Sequence, residues 1–463
     1  MTLEGIDDVE AFVDRLDRVE PPGQMISFLT DPLLQKYVEL KPSPIVSARI
    51  SLWLATCLEE QVNAASLNAE DPVLTAELLH GLLQHARYTK VSVTHSRNTA
   101  VLISLQTLLP IVPPFLKEYL RTWTGHYHVD VILGLLAYLP GSSFDDLYSD
   151  YFAPAERALS SRGLSSYTQL IDFYTELLQH RVSILALQQP ERRQPALSSP
   201  EQQFLNDSVS HVATFSTSSV LSLPQGVGAE LLSAVLSYWE LLSTSSKPHV
   251  IPILLPPMHL VYHLMQSSST DVVSRICGII GNYKQAFDAH PRPVKHYYPS
   301  EVTDGLNWCL RDVYNLFWVT RGLAVAEQKS VGMYCDPSLR PSLNSYLTGL
   351  NREYAIGHVF NLAYNAWLAS MSAAAWHTLE EREVEQERHD RGNIRRHTGP
   401  VTQQSLALLK NGGVNIDWDG AHGYKVFVLQ WLAERGLGGL RELMFATVTD
   451  LKKDGAGPHD VKQ

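Results

Sequence analysis

The chain has 463 residues, 45% of them hydrophobic and 18% charged, with a formal net charge of -11. So large an apolar fraction in so long a chain supplies a buried core and excludes global disorder. The acidic balance excludes nucleic acid as the ligand of the whole surface, because that footprint is basic, and leaves room only for a local cationic patch.

The four cysteines, Cys57, Cys277, Cys309 and Cys335, lie far apart and form no Cys-x-x-Cys pair. That pattern fits a reducing compartment better than a disulfide framework or a zinc knuckle. The opening stretch MTLEGIDDVEAFVDRLDRVE is acidic and amphipathic, whereas a secretory signal starts basic and continues apolar, so export by that route is not expected. The most apolar windows, starting at Val101 and Val250, are cut by prolines. They fall short of the ~20 residues a bilayer span requires. Both read as core helices that start or end at Pro-Pro, and no membrane partner is expected.

In chain order, apolar residues recur at spacings of three and four between short Pro, Gly or Ser breaks, which is the signature of successive amphipathic helices. The pattern predicts helices over Pro44 to Ala65, Pro72 to Arg87, Thr99 to Leu109, Val129 to Leu139, Ser143 to Leu159 and Ser165 to Leu187. It continues over Gly228 to Leu242, Pro257 to Met265, Thr270 to Phe287, Ser300 to Arg321 and Leu350 to Glu387. In the fourth of these, Ile132, Leu135, Leu136 and Leu139 share one face, Pro140-Gly141 ends the run, and Ser142 and Ser143 offer the next N-cap. Two helices to a unit give a spacing on the order of 40 residues, the length of a HEAT or armadillo repeat. The expected fold is therefore all-α, a HEAT-like helical-repeat solenoid of stacked antiparallel helix pairs.

Composition divides the chain further. A helical-repeat segment over 1–187 is followed by an exposed proline-rich linker over 188–200 and a second helical-repeat segment over 201–379. Residues 380–399 read as a charged helix extension or loop, with a solvated front half; 400–453 read as a C-terminal helical pair and 454–463 as a mobile tail.

Few constellations carry chemistry. His259 and His263 have the i, i+4 spacing of a zinc site, but Leu260 stands where a metalloprotease helix has its glutamate, and no third ligand is evident. His126 and His128 are a weaker pair. Gly436-Leu437-Gly438-Gly439 follows a helical run, not a strand, and reads as a helix-to-helix turn; Asn411-Gly412-Gly413 reads as a cap or turn. There is no Gly-x-Ser-x-Gly elbow. The expectation is a non-enzyme with no catalytic residues, cofactor, metal or small-molecule substrate. The one cationic concentration, Arg388, Arg391, Arg395 and Arg396 with Lys410 beyond, follows a run of glutamates. It is a candidate for contact with DNA phosphates.

At four separated places the chain resembles the centromere protein I family of inner-kinetochore proteins. The residues are Tyr119-Leu-Arg-Thr-Trp-Thr-Gly125 with the run to Leu139-Pro140; Leu255-Pro-Pro257 and the helix pair ending near Tyr283-Lys284; Gly332-Met-Tyr-Cys-Asp-Pro337; and Gly423-Tyr424 to Trp431, closed by Gly436 to Leu440. Members of this family are longer, and the chain resembles their C-terminal half. The resemblance implies a scaffold in the nucleus, at the centromere and kinetochore, serving chromosome segregation. It also implies the coiled-coil centromere proteins H and K as partners, with centromere protein M and centromeric DNA as further ones. The alternative from another class is a helical-repeat adaptor of transport or signalling without a chromatin role.

Overall fold

The computed structural model describes residues 29, 31, 44–66, 72–95, 108–141, 143–160, 162–188, 200–223, 228–247, 251–290, 298–314, 317–318, 345, 369–386, 394–396, 412–414, 420–448 and 451. Among them all regular structure is helical. They fall into two compact units, Met1–Ser219 with Gly228–Tyr238 and Val220–Val227 with Trp239–Gln463.

In the first unit α1 (Pro44–Ser66) packs on α3 (Val112–Thr122), and α2 (Pro72–His95) packs on α4 (Val129–Leu136). Pro113 and Pro114 open α3, where their missing N–H groups leave no intrahelical bond unmade. The helix then buries Val112, Phe115, Leu116, Tyr119 and Leu120 at spacings of three and four. All of α4 from Val131 to Leu136 is buried, so this helix is apolar around its whole circumference and lies inside its neighbours, α2 and α7 (Leu164–Gln188). It ends at Leu136, one turn earlier than the periodicity predicts, and the still buried Leu139 continues in a turn. Arg181 of α7 closes that end, its guanidinium donating to the carbonyls of Leu139 (3.1 Å) and Gly141 (2.9 Å).

Ser143 is the N-cap of α5 (Phe144–Leu147), its hydroxyl accepting the N–H of Asp146. The single helix predicted from Ser143 to Leu159 is in fact three pieces: α5, a π-helical turn at Tyr148–Phe152, and α6 (Ala153–Ser160). Pro154 has no N–H to give the carbonyl four residues back, and the widened turn immediately precedes it. Within the predicted second helical-repeat segment no separate helix is singled out over α8 (Pro200–Leu221), which is rich in serine and threonine. These side chains turn inward on their own helix: Thr214 donates to Ser210 O, Ser216 to Ala213 O and Ser219 to Phe215 O. The helix is held by the burial of Phe204, Leu205, Val209 and Val212 rather than by propensity.

In the second unit the C-terminal half of α9 (Ala229–Ser246) is clamped to α11 (Thr270–Asp288). Arg275 grips Glu240 with two bonds of 2.7 and 2.8 Å, and Asn282 donates to Ser243. Beside α11 run α10 (Met258–Met265) and α15 (Gly439–Thr447), the latter also touching α12 (Ser300–Tyr314) and α14 (Gly420–Ala433). Helix α14 ends in a Schellman motif, Leu437 N–H bonding to Leu432 O and Gly436 N–H to Ala433 O, with Gly436 at φ +83°. The glycines after it serve packing. Ser274, Gly278 and Gly281 form a small-residue stripe on α11, and the backbone of α15 lies directly on it at Gly439 and Leu443.

Helix α13 (Ala369–Gln386) pairs with α14. Tyr424 donates to Ser372 O at 2.9 Å, Trp431 to Thr378 at 3.3 Å, and the rings of Trp376 and Tyr424 meet edge-on at 5.6 Å. The front of the charged 380–399 stretch is not wholly solvated, since Glu380 and Glu383 are buried and the Trp376 indole donates to Glu380 at 2.8 Å.

Candidate functional site

The densest polar arrangement lies inside the first unit, at the junction of the π turn, α6, α7 and α8. Glu156 of α6 accepts from the Tyr174 hydroxyl at 2.6 Å and from His211 Nε2 at 2.8 Å on one carboxylate oxygen, and from the Tyr148 hydroxyl at 3.1 Å on the other. Aromatic rings surround the imidazole: Tyr148 at 4.7 Å, Tyr174 at 5.4 Å, Phe144 at 5.7 Å and Phe215 at 6.2 Å between centroids. Burial alone raises the carboxyl group's proton affinity, but the hydrogen bonds from His211 and Tyr174, the His211 charge and the Tyr148 bond outweigh it. Glu156 therefore titrates below its ordinary value. Burial and the adjacent carboxylate push the Tyr174 phenol well above the usual tyrosine range and raise Tyr148 as well.

Chemically this is a carboxylate kept ionised and saturated with donors, flanked by phenols kept neutral. Nothing in it is an activated nucleophile. Its effect is mechanical, for it ties four successive elements to one point. Sequence inspection does not find it, because Glu156 and His211 are 55 positions apart and no local spacing announces the pair.

The residues singled out from the sequence fare differently. Arg395 and Arg396 are exposed outside any helix, and the Arg395 N–H bonds to the Gly412 carbonyl at 2.9 Å. That bond brings the arginine pair to Gly412 and Gly413 of the predicted turn, whose Asn411 lies outside the described residues; Gly412, at φ +84°, has open space where a side chain would stand. Arg388, Arg391 and Lys410 lie outside the described residues. His259 and His263 do share a face of α10, and both are exposed. Among the described residues no cluster of three or more potential metal ligands is found. The second pair is set in the loop after α3, where His128 takes a left-handed conformation, φ 59°. Trp123 Nε1 donates to Tyr127 O at 2.9 Å, and the Arg162 guanidinium donates to Gly125 O, so the loop that carries His126 and the exposed Tyr127 is pinned from two sides.

Two further features are surface ones. A hollow of about 600 Å³ beside α11 and α15 is lined by Gln285, Asp288, Arg441, Glu442 and Phe445, and this mix of charges converges on no single ligand chemistry. Large apolar side chains are exposed at Ile45, Leu52, Tyr127, Leu221 and Trp308. Among the described residues no helix is long and apolar enough to cross a membrane.

No family model matches the chain. Similar curated proteins are centromere protein I of Mus musculus, 25% identical over 355 residues, and of Rattus norvegicus, 23% identical over 357; each alignment covers 73% of this chain and 44% of the relative. Centromere protein I of Gallus gallus is 22% identical over 279 residues, covering 59% of this chain and 35% of that protein. The chain thus spans less than half the length of the curated relatives it matches. Three matches to one protein name, reaching as far as 73% of the chain, support a centromere protein I-like family relationship.

Proposed function

We propose that the chain is a non-enzymatic scaffold subunit of the inner-kinetochore network, acting at centromeric chromatin in the nucleus by docking other centromere proteins on the surfaces of stacked antiparallel helix pairs. The observation that carries this reading is the similarity to centromere protein I over 73% of the chain. The geometry agrees with it. Helix packs on nearby helix through α1 and α3, α2 and α4, and α10 and α11, the local packing that helical repeats use, although the most extensive contact, α11 on α15, joins helices far apart in the chain. The most elaborate polar site, at Glu156, is arranged to hold helices rather than to turn over a substrate.

The partners in this reading are the coiled-coil centromere proteins H and K, with centromere protein M as a further one, and Arg395 and Arg396 make a local contact with DNA phosphates. Co-expression with centromere proteins H and K followed by size exclusion tests it. Co-elution is the expected result, for this chain or for the same chain extended to the relatives' full length. Separate elution in both cases would defeat the kinetochore reading.

A further inference from the structure

Helix α1 has two apolar faces. Ile50, Leu54 and Leu58 are buried together with Gln61 on the side that packs against α3. On the opposite side Ile45 is 67% exposed and Leu52 70%, with Ala48 exposed between them. Spacings of three and four place these residues on one line, and Ala55, half-buried, extends it. An amphipathic helix of a globular protein normally keeps its outer face polar, and this outward line carries both Ile and Leu. The same face continues into Thr56, Glu59 and Asn63, with Glu60 alongside, all exposed.

We propose that this outer face of α1 is a docking strip for an amphipathic helix of another protein, one that carries basic residues beside its own apolar stripe. Ala48 lets a helix backbone approach closely, and Ile45 and Leu52 flank it as knobs. The charge pattern selects the occupant. The exposed charges on the described part of this face are Glu59 and Glu60, and Arg49, half-buried, is already engaged within the chain. A second copy would therefore bring acid against acid or against the apolar turn, and a strip two turns long is far below the ~800 Å² per partner of a stable interface. A basic helix in a larger complex meets both conditions. The inference deepens the scaffold reading without requiring that the partner be centromeric.

The test titrates the purified full chain with two synthetic amphipathic peptides of about three heptads, Leu and Ile at the seam, flanked by Lys in one and Glu in the other. Fluorescence anisotropy should show the Lys peptide binding at least about tenfold more tightly than the Glu peptide. The neutral variants Leu52→Gln and Ile45→Gln should each weaken the Lys peptide about tenfold with unchanged thermal melting, which separates the strip from general attraction to an acidic protein. Should one variant melt early, the other decides. Equal binding of the two peptides, no binding of either, or full binding by both variants overturns the proposal. So does a concentration-dependent dimer that Leu52→Gln abolishes, because that seats a second copy on the strip. Co-elution with centromere proteins H and K alongside failed peptide arms would remove the strip and leave the scaffold reading standing.

Discussion

Gly439 of α15 lies against Ser274 of α11 so closely that a β-carbon on the glycine would overlap the Ser274 carbonyl oxygen and stand 2.8 Å from the backbone nitrogen of Gly278. The contact is also a bond, since the Gly439 N–H donates to the Ser274 hydroxyl at 3.1 Å. Both obstacles are backbone atoms, which no rotamer change can move aside. Gly439→Ala should therefore separate α11 from α15 and destabilise the second unit by about 3 kcal/mol. Denaturant unfolding followed by tryptophan fluorescence measures it; a loss below about 0.5 kcal/mol would show that the two helices do not cross this closely.

Gly305, in the middle of α12, gives the opposite expectation. A β-carbon there meets nothing within 4 Å. Gly305→Ala should stabilise the unit by about 0.5 to 1 kcal/mol, because it removes backbone freedom from the unfolded chain and improves helix propensity at no steric cost. The pair of variants, opposite in sign, tests placement and not merely composition.

The same contrast shows how far a linear reading reaches. Periodicity places α11 almost to the residue and α12 at its first residue, because burying one face requires apolar side chains at fixed spacing, but it carries α12 on to Arg321 where the helix ends at Tyr314. It missed α8, whose hydroxyl side chains bond back to their own carbonyls and obscure the apolar face. It read Gly436 to Gly439 as a turn, which holds for Gly436, while Gly439 answers to a surface 165 positions away that no local window contains. For the same reason the Glu156 cluster was illegible, although Arg395, Arg396 and the surface histidines were visible as residue types.

Leu135 and Leu136 were singled out from the sequence as a core face, and both are wholly buried within α4. Leu135→Asp places an unpaired carboxylate among α2, α4 and α7, at a cost of about 4 kcal/mol or more. The first unit should lose its cooperative melting transition. Leu52→Asp, at a position 70% exposed, should shift melting by no more than about 0.5 kcal/mol. Equal effects from the two would mean that the buried faces are misassigned.

Glu156 makes the first unit acid-sensitive in a defined direction. Its folded carboxyl titrates below the ordinary 4.5, so the unfolded chain takes up the proton first. The stabilisation is complete above that value and fades as pH falls through the lower folded one. Glu156→Gln should cost about 1 to 3 kcal/mol at neutral pH, since Tyr148, Tyr174 and His211 lose a charged acceptor. Urea unfolding of both proteins at a series of pH values should show this difference shrinking below about pH 4.5. A difference that stays constant or grows on acidification would contradict a carboxylate held ionised by its donors.

Arg395 and Arg396 test the proposed local DNA contact against the acidic whole. Both are exposed, and the bond from Arg395 to Gly412 fixes the backbone that carries them. Phosphate contacts of this kind read no sequence. Each one releases a counterion, so the double variant Arg395→Glu with Arg396→Glu should weaken binding to unrelated duplexes equally and flatten the dependence of log affinity on log salt by about 2. Among the described residues neither arginine pairs with an acid, and the backbone bond survives any side-chain change, so folding should be unaffected. The net charge of -11 strengthens the inference drawn from a positive result. Against a repulsive background, an affinity that depends on two side chains must come from where they stand. Unchanged affinity and slope would leave protein partners as the sole ligands of this surface.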